Sequence, residues 1–232
     1  MSNADPQELA RFDSVASRWW DSDGPFRPLH ELNPERLAFI SERQKLSGAQ
    51  MVDIGCGGGI LSEALALQGA RVVGLDLAAD ALDVARLHAL EGGLSIDYRL
   101  QSAEDLAAEA PGSFDAVTCL EMLEHVPDPI SVLRACKRLL KPDGRLFLST
   151  LNRTPKAFTL AIVGAEYVLG LLPRGTHRYE RFLKPSELRR ALLDLDFSEL
   201  EFQGLQYDPF SRRASRSDDL SVNYLIAARA SP

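Results

Sequence analysis

The stretch CLEMLEHVPDP concentrates more reactive side chains than any other part of the chain. Glu121, Glu124 and His125 stand at i, i+3 and i+4, so one helical turn would put all three on one face. Two uses suit such a set. His125 could be a catalytic general base toward a weakly acidic hydroxyl. Alternatively, Glu121, Glu124 and His125 could together ligate a divalent metal, magnesium for instance, that lowers the pKa of that hydroxyl. Upstream, VDIGCGGGIL places Gly55, Gly57, Gly58 and Gly59 directly after a short apolar run. Ile60 stands where a dinucleotide fingerprint wants its last Gly or Ala, and no lysine is present to make a Walker loop. RVVGLD then ends in Asp76, roughly twenty residues past the loop, where a carboxylate can accept hydrogen bonds from ribose hydroxyls. Gln101 to Asp105 form an acidic turn that could meet an adenine amino group or simply cap a helix.

These residues need a scaffold, and the chain's rhythm supplies one. MVDI, RVVGLD, SIDYRL, FDAVTCL and GRLFLST read as strands, separated by helical stretches near 58–68, 78–90, 103–109 and 129–140. Such alternation predicts a parallel sheet with helices on both faces, ligands binding at the strands' carboxyl ends. FSELEFQGLQY and LSVNYLIAARA alternate as a closing antiparallel pair. Residues 6–20 read as a helix, DSDGPFRPLHELNP as a loop, and Pro34 as the opening of a second helix to about Lys45. The expectation is one domain over 1–232. It divides into an N-terminal helical cap (1–48), a cofactor-binding core (49–151), an inserted lid (152–183) and the C-terminal part of the sheet (184–232).

Composition narrows the function classes. A net charge of −7 over 232 residues works against a nucleic-acid partner, and Arg212, Arg213 and Arg216 read as part of a solvated loop beside Asp218 and Asp219. Three cysteines without a CxxC pair indicate neither a disulfide framework nor a structural zinc, which points to a reducing cytoplasm. The first residues lack the pattern of a secretory signal. Phe158 to Leu172 is almost wholly apolar with basic flanks at Lys156, Arg174, His177, Arg178 and Arg181. At about 22 Å as a helix it falls short of a bilayer core, so it reads as a lid or as a segment lying on anionic head groups.

The glycine loop, Asp76 and the strand exits resemble the class I S-adenosylmethionine-dependent methyltransferases across roughly residues 50–150. That resemblance implies a Rossmann-like α/β fold with a mostly parallel seven-stranded sheet, and S-adenosyl-L-methionine as cofactor. FDSVASRWWD, FRPLHELNPERL, CLEMLEHVPDP, STLNRTPK and VGAEYVLGLLPRGTH extend it over nearly the whole chain to the ubiquinone-biosynthesis O-methyltransferases. This closer resemblance implies cofactor contacts from Arg36, Gly55, Gly57, Asp76 and Leu120, and metal ligation by Glu121, Glu124 and His125. It further implies a polyprenylated phenol or quinol substrate, peripheral attachment to the inner membrane, and company with other ubiquinone-biosynthesis proteins. Many small-molecule members of the superfamily carry a similar Glu-His-x-x-Asp turn without metal, so base and metal both stay open. A methyltransferase for another phenolic or quinone acceptor, or a lipid-binding protein with a retained cofactor pocket, are the alternatives.

Overall fold

The computed structural model describes residues 3–160 and 178–231. Among these, eight strands form one sheet in the order β3-β2-β1-β4-β5-β8-β6-β7. The strands are β1 (Gln50–Ile54), β2 (Arg71–Asp76), β3 (Asp97–Leu100), β4 (Phe114–Leu120), β5 (Leu140–Leu151), β6 (Phe197–Asp208), β7 (Arg213–Ser217) and β8 (Asn223–Ala230). β1 to β5 pair in parallel, whereas β8, β6 and β7 each pair antiparallel. The order reverses between β1 and β4, so their carboxyl ends diverge and leave a crevice there.

The period-two alternation of the strands makes two cores. Met51, Ala116, Phe147 and Leu225 pack to one side with Phe39 and Ile40 of α2 (Arg27–Ser41) and Leu65 of α3 (Ile60–Leu67). Val52, Ile54, Val117, Cys119, Leu146 and Leu148 pack to the other, under α5 (Ala103–Glu109), α6 (Pro129–Leu139) and α8 (Pro185–Asp194). Helix starts follow the local chemistry. Asp128 accepts from Ile130 N–H and Ser131 N–H at 3.0 and 3.1 Å to open α6. Ser102 accepts from Asp105 N–H at 3.1 Å, so that acidic turn does cap α5. α4 (Ala79–Glu91) follows β2, α1 (Pro6–Val15) packs near it, and a single turn α7 (Pro155–Ala157) follows β5.

Three expectations change. α2 begins at Arg27 with Pro28 in its first turn, and Pro34 lies inside it; the stretch taken for a loop is half helix. The sheet has eight strands, because residues taken for a polar loop make β7 at its edge. Arg212 and Arg216 are also not merely solvated. Arg216 pairs with Glu35 at 3.1 Å and Glu42 at 2.6 Å, and Arg212 with Asp23 at 3.0 Å and Glu31 at 2.5 Å. Short polar edge strands lack the apolar alternation that marks a strand in sequence. The greater part of the lid segment, 161–177, lies outside the described residues; Phe158 and Leu160 at its start are exposed.

Candidate active site

The carboxyl ends of β1, β2 and β4, roofed by α1 and α2, enclose one cavity that Arg36, Gly55, Gly57, Asp76 and Leu120 all line. Glu121 and His125 line it too; Glu124 does not. Gly55, Gly57 and Gly59 hold φ of 71°, 52° and 89°, a region L-residues avoid. Room for protein side chains matters as well. A Cβ on Gly57 or Gly58 would come within 2.1 or 2.2 Å of the Trp19 indole. Trp19 is buried, stacked on Phe26 at 3.9 Å, and Trp20 Nε1–H donates to the Gly58 carbonyl at 2.9 Å. The tryptophans of the cap therefore clamp the loop, and packing accounts for part of its glycine crowding.

Asp76 sits at the centre of this arrangement. Its Oδ2 accepts from Gly57 N–H at 2.7 Å, and its Oδ1 from Leu77 N–H at 2.7 Å and Ala78 N–H at 2.9 Å. Burial raises its pKa above the ordinary carboxylate value, with the three N–H groups opposing. A carboxylate so placed can fix the loop and still accept from a hydroxyl, since its two oxygens offer about four lone-pair sites and the three N–H groups take three of them. Arg36, on α2, is buried and donates through Nη2 to Glu121 Oε1 at 2.8 Å. Its Nε is buried without a hydrogen-bond partner. A buried guanidinium N–H left unpaired at a cavity wall suits an incoming carboxylate. Asp53, beneath the loop, accepts from Ser62 Oγ and Thr118 Oγ1, both at 2.7 Å, and burial lifts its pKa to about 6.

The turn after β4 is not the helical turn its spacing suggested. Glu121 has φ of 51°, and Leu123–His125 form a tight 3-10 turn, so the three side chains do not line up on one helical face. Glu121 Oε1 accepts from Arg36, from Ser149 Oγ at 2.8 Å and from Asn223 Nδ2 at 2.9 Å. Glu124 is buried and accepts from Thr150 Oγ1 at 2.9 Å. Burial, then the charge of Glu121, holds its carboxyl well above the carboxylate range. His125 turns its Nδ1 to Glu8 Oε2 of α1 at 3.1 Å. Metal ligation needs ionised carboxylates that converge. Among the described residues no three such side chains do so, and this arrangement does not fit a divalent ion.

Glu8, Ser149 and Asn223 were not signalled by sequence. Each reaches the site across the fold from an ordinary helix or strand position, and no spacing rule joins residue 8 to residue 125.

A methyltransferase-domain family matches residues 52–148. The ubiquinone biosynthesis O-methyltransferase of Chromobacterium violaceum is 57% identical over 229 residues, covering 99% of this chain and 99% of that one. Its namesake in Xanthomonas euvesicatoria pv. vesicatoria is 57% identical over 227 residues, covering 98% and 95%. The chain belongs to the ubiquinone biosynthesis O-methyltransferase family. Among solved structures, magnesium protoporphyrin IX methyltransferase from Synechocystis PCC 6803 with bound SAH aligns with a TM-score of 0.68 at 21% identity, covering 97% of this chain and 94% of that one. A possible histamine N-methyltransferase from Thermotoga maritima aligns at 0.66 and 20%, covering 96% and 98%. At those identities the likeness speaks for the fold, and it is the family's full-length matches that carry the kinship.

Proposed function

We propose that this chain is an S-adenosylmethionine-dependent O-methyltransferase that methylates phenolic oxygens of polyprenylated phenol and quinol acceptors in ubiquinone biosynthesis. The observation that carries the reading is one cavity joining the Asp76 carboxylate, an unpaired Arg36 Nε and the imidazole of His125. Asp76 would hold the ribose hydroxyls and Arg36 the methionine carboxylate, with Gly55, Gly57 and Leu120 against the rest of the cofactor. When bound, S-adenosylmethionine supplies a methyl group already activated by its sulfonium. The chain's task is then alignment and a deprotonated oxygen. A phenol with pKa of about 10 must ionise near pH 7, which requires roughly 4 kcal/mol of differential stabilisation. His125 is the base that takes this proton.

Family kinship supports a prenylated acceptor, since the relatives bear the name ubiquinone biosynthesis O-methyltransferase. For a divalent ion to serve instead, Glu121 would have to leave Arg36, Ser149 and Asn223, and Glu124 would have to ionise. Methyl transfer to a demethylubiquinol analogue, read by product mass spectrometry with and without chelator, tests both points. Absence of methylated product under both conditions overturns the assignment, and loss with chelator alone overturns the metal-free base.

We also propose that the segment after α7 docks on membrane surfaces to meet the acceptor. Exposed Phe158 and Leu160 at its start support this. Among the described residues no helix is long and apolar enough to cross a membrane. Two of the basic flanks are engaged within the protein, Lys156 with Asp219 at 2.7 Å and Arg181 with Asp5 at 3.0 Å, so apolar contact rather than charge should dominate. Cosedimentation with liposomes should then survive added salt; a soluble wild type at every salt concentration refutes it.

A further inference from the structure

We infer that Glu8 is a positioning residue for methyl transfer: it holds His125 in the tautomer that leaves the basic lone pair on Nε2. This rests on the proposed role of His125 as base. Glu8 lies in the first turn of α1, where an acid usually faces water and merely favours the helix dipole. Here it is only 5% exposed and is the one buried residue of that helix. Burying a carboxylate is costly unless it is paired. Its partners are His125 Nδ1 at 3.1 Å and Arg11 Nη1 at 3.3 Å. Arg11 Nη1 lies 3.3 Å from one carboxylate oxygen and 3.4 Å from the other, so a fixed cation pairs with the buried charge whatever the imidazole carries. An ionised carboxylate only accepts hydrogen bonds, so Nδ1 must carry the proton, and neutral imidazole then has its lone pair on Nε2.

The surroundings hold this contact in register. The Phe12 ring meets the imidazole edge-on at 5.3 Å. Arg181 bonds Asp5 at 3.0 Å and reaches the His125 carbonyl at 3.4 Å, and Asn3 Oδ1 accepts from Asp128 N–H at 2.9 Å. The start of the chain is thus tied on both sides of the turn that carries His125. In the reaction the phenol O–H bond breaks as the Nε2–H bond forms, and the oxygen lone pair attacks the methyl carbon while the electrons of its bond to sulfur return to sulfur. The imidazolium left behind is stabilised by the Glu8 carboxylate at Nδ1.

The test is Glu8→Gln in the full chain, a change that keeps shape and removes charge. Its kcat on a catechol acceptor should fall by about tenfold to a hundredfold, the range for a charge-assisted hydrogen bond, with KM and SAH affinity by calorimetry unchanged. In a His125→Ala background the same change should add less than about twofold, because Glu8 acts through the imidazole. Nitrogen-15 NMR of the free protein should show His125 as the Nδ1–H tautomer, and Glu8→Gln should mix in the other. A wild-type Nε2–H tautomer, or undiminished kcat in Glu8→Gln, overturns the inference. If wild type methylates no phenol at all, it is the functional reading that fails, and the NMR result still decides whether Glu8 sets the tautomer. Should Glu8→Gln not fold, Glu8→Asp, tested in the same assays, must restore the Nδ1–H tautomer and more kcat than Glu8→Ala.

Discussion

Replacing Asp76 with asparagine separates two jobs that one carboxylate performs. In the wild type its two oxygens accept from three backbone N–H groups at 2.7 to 2.9 Å. An asparagine amide has one acceptor oxygen and one NH2 group, so it cannot serve both sides. With its oxygen kept on Leu77 and Ala78, the NH2 would face Gly57 N–H, donor against donor. The lost bond and the orphaned donor cost about 1–3 kcal/mol of stability. Burial already opposes the charge on Asp76, so removing it returns part of that cost, and the net loss should sit near the lower end.

Cofactor affinity should fall further, by about 1.5–3 kcal/mol, because ribose hydroxyls lose a charged acceptor. An SAH analogue lacking both ribose hydroxyls distinguishes ribose binding from loop support. Wild type should bind the analogue about tenfold to a hundredfold more weakly than SAH, whereas Asp76→Asn should bind the two nearly alike. Calorimetry at one pH gives all four affinities. An equal penalty in both proteins would refute ribose recognition and leave Asp76 as a brace for the glycine loop.

Arg36→Met should weaken SAH about tenfold to a hundredfold while sparing 5′-methylthioadenosine, which lacks the amino-acid end; equal weakening of both would contradict the assignment. Asp53→Asn tests the linkage of burial to pH. Raising the folded-state pKa from 3.8 to about 6 means the native state binds the proton more tightly, so this group's stabilisation is full below about pH 4 and lost as pH rises through 6. Relative to Asp53→Asn, wild type should lose at most roughly 3 kcal/mol of urea-unfolding stability across that window; a pH-independent difference would exclude it. Titration of the acceptor-free chain with Mg²⁺ should show no binding tighter than millimolar, because Glu121 and Glu124 are already engaged. Micromolar binding would show that the turn rearranges for a metal.

The sheet and the glycine-loop side of the cavity were legible because their signals are local. Period-two apolar runs mark β1, β2 and β4, and the glycine spacing and the strand-end Asp76 follow from the same short segments. The side formed by the turn after β4 was less so. Identity and spacing picked out Glu121, Glu124 and His125, but the i, i+3, i+4 rule assumes a regular helix. Glu121 in the left-handed region breaks that assumption. What its carboxylate touches is then decided by residues 85 positions upstream and 102 downstream, Arg36 and Asn223. Trp19 shapes the site by packing, since its ring fills the space a side chain at Gly57 would need.

That distribution gives the antiparallel end of the sheet a reason to sit beside the parallel half. Asn223, the first residue of β8, donates to Glu121 across the β5 edge, where Ser149 donates to the same oxygen. Arg216 on β7 grips Glu35 and Glu42, the acids on and just past α2 that bracket Arg36. The short Tyr207–Glu31 hydrogen bond ties the same helix to β6. Each of these surface ion pairs is individually worth little, but they share one helix, and that helix must hold a buried guanidinium against Glu121 with its Nε still open to a ligand. The C-terminal hairpin therefore fixes the register of α2 against the sheet, and through it the distance between Arg36 and the carboxyl ends of β1 and β4.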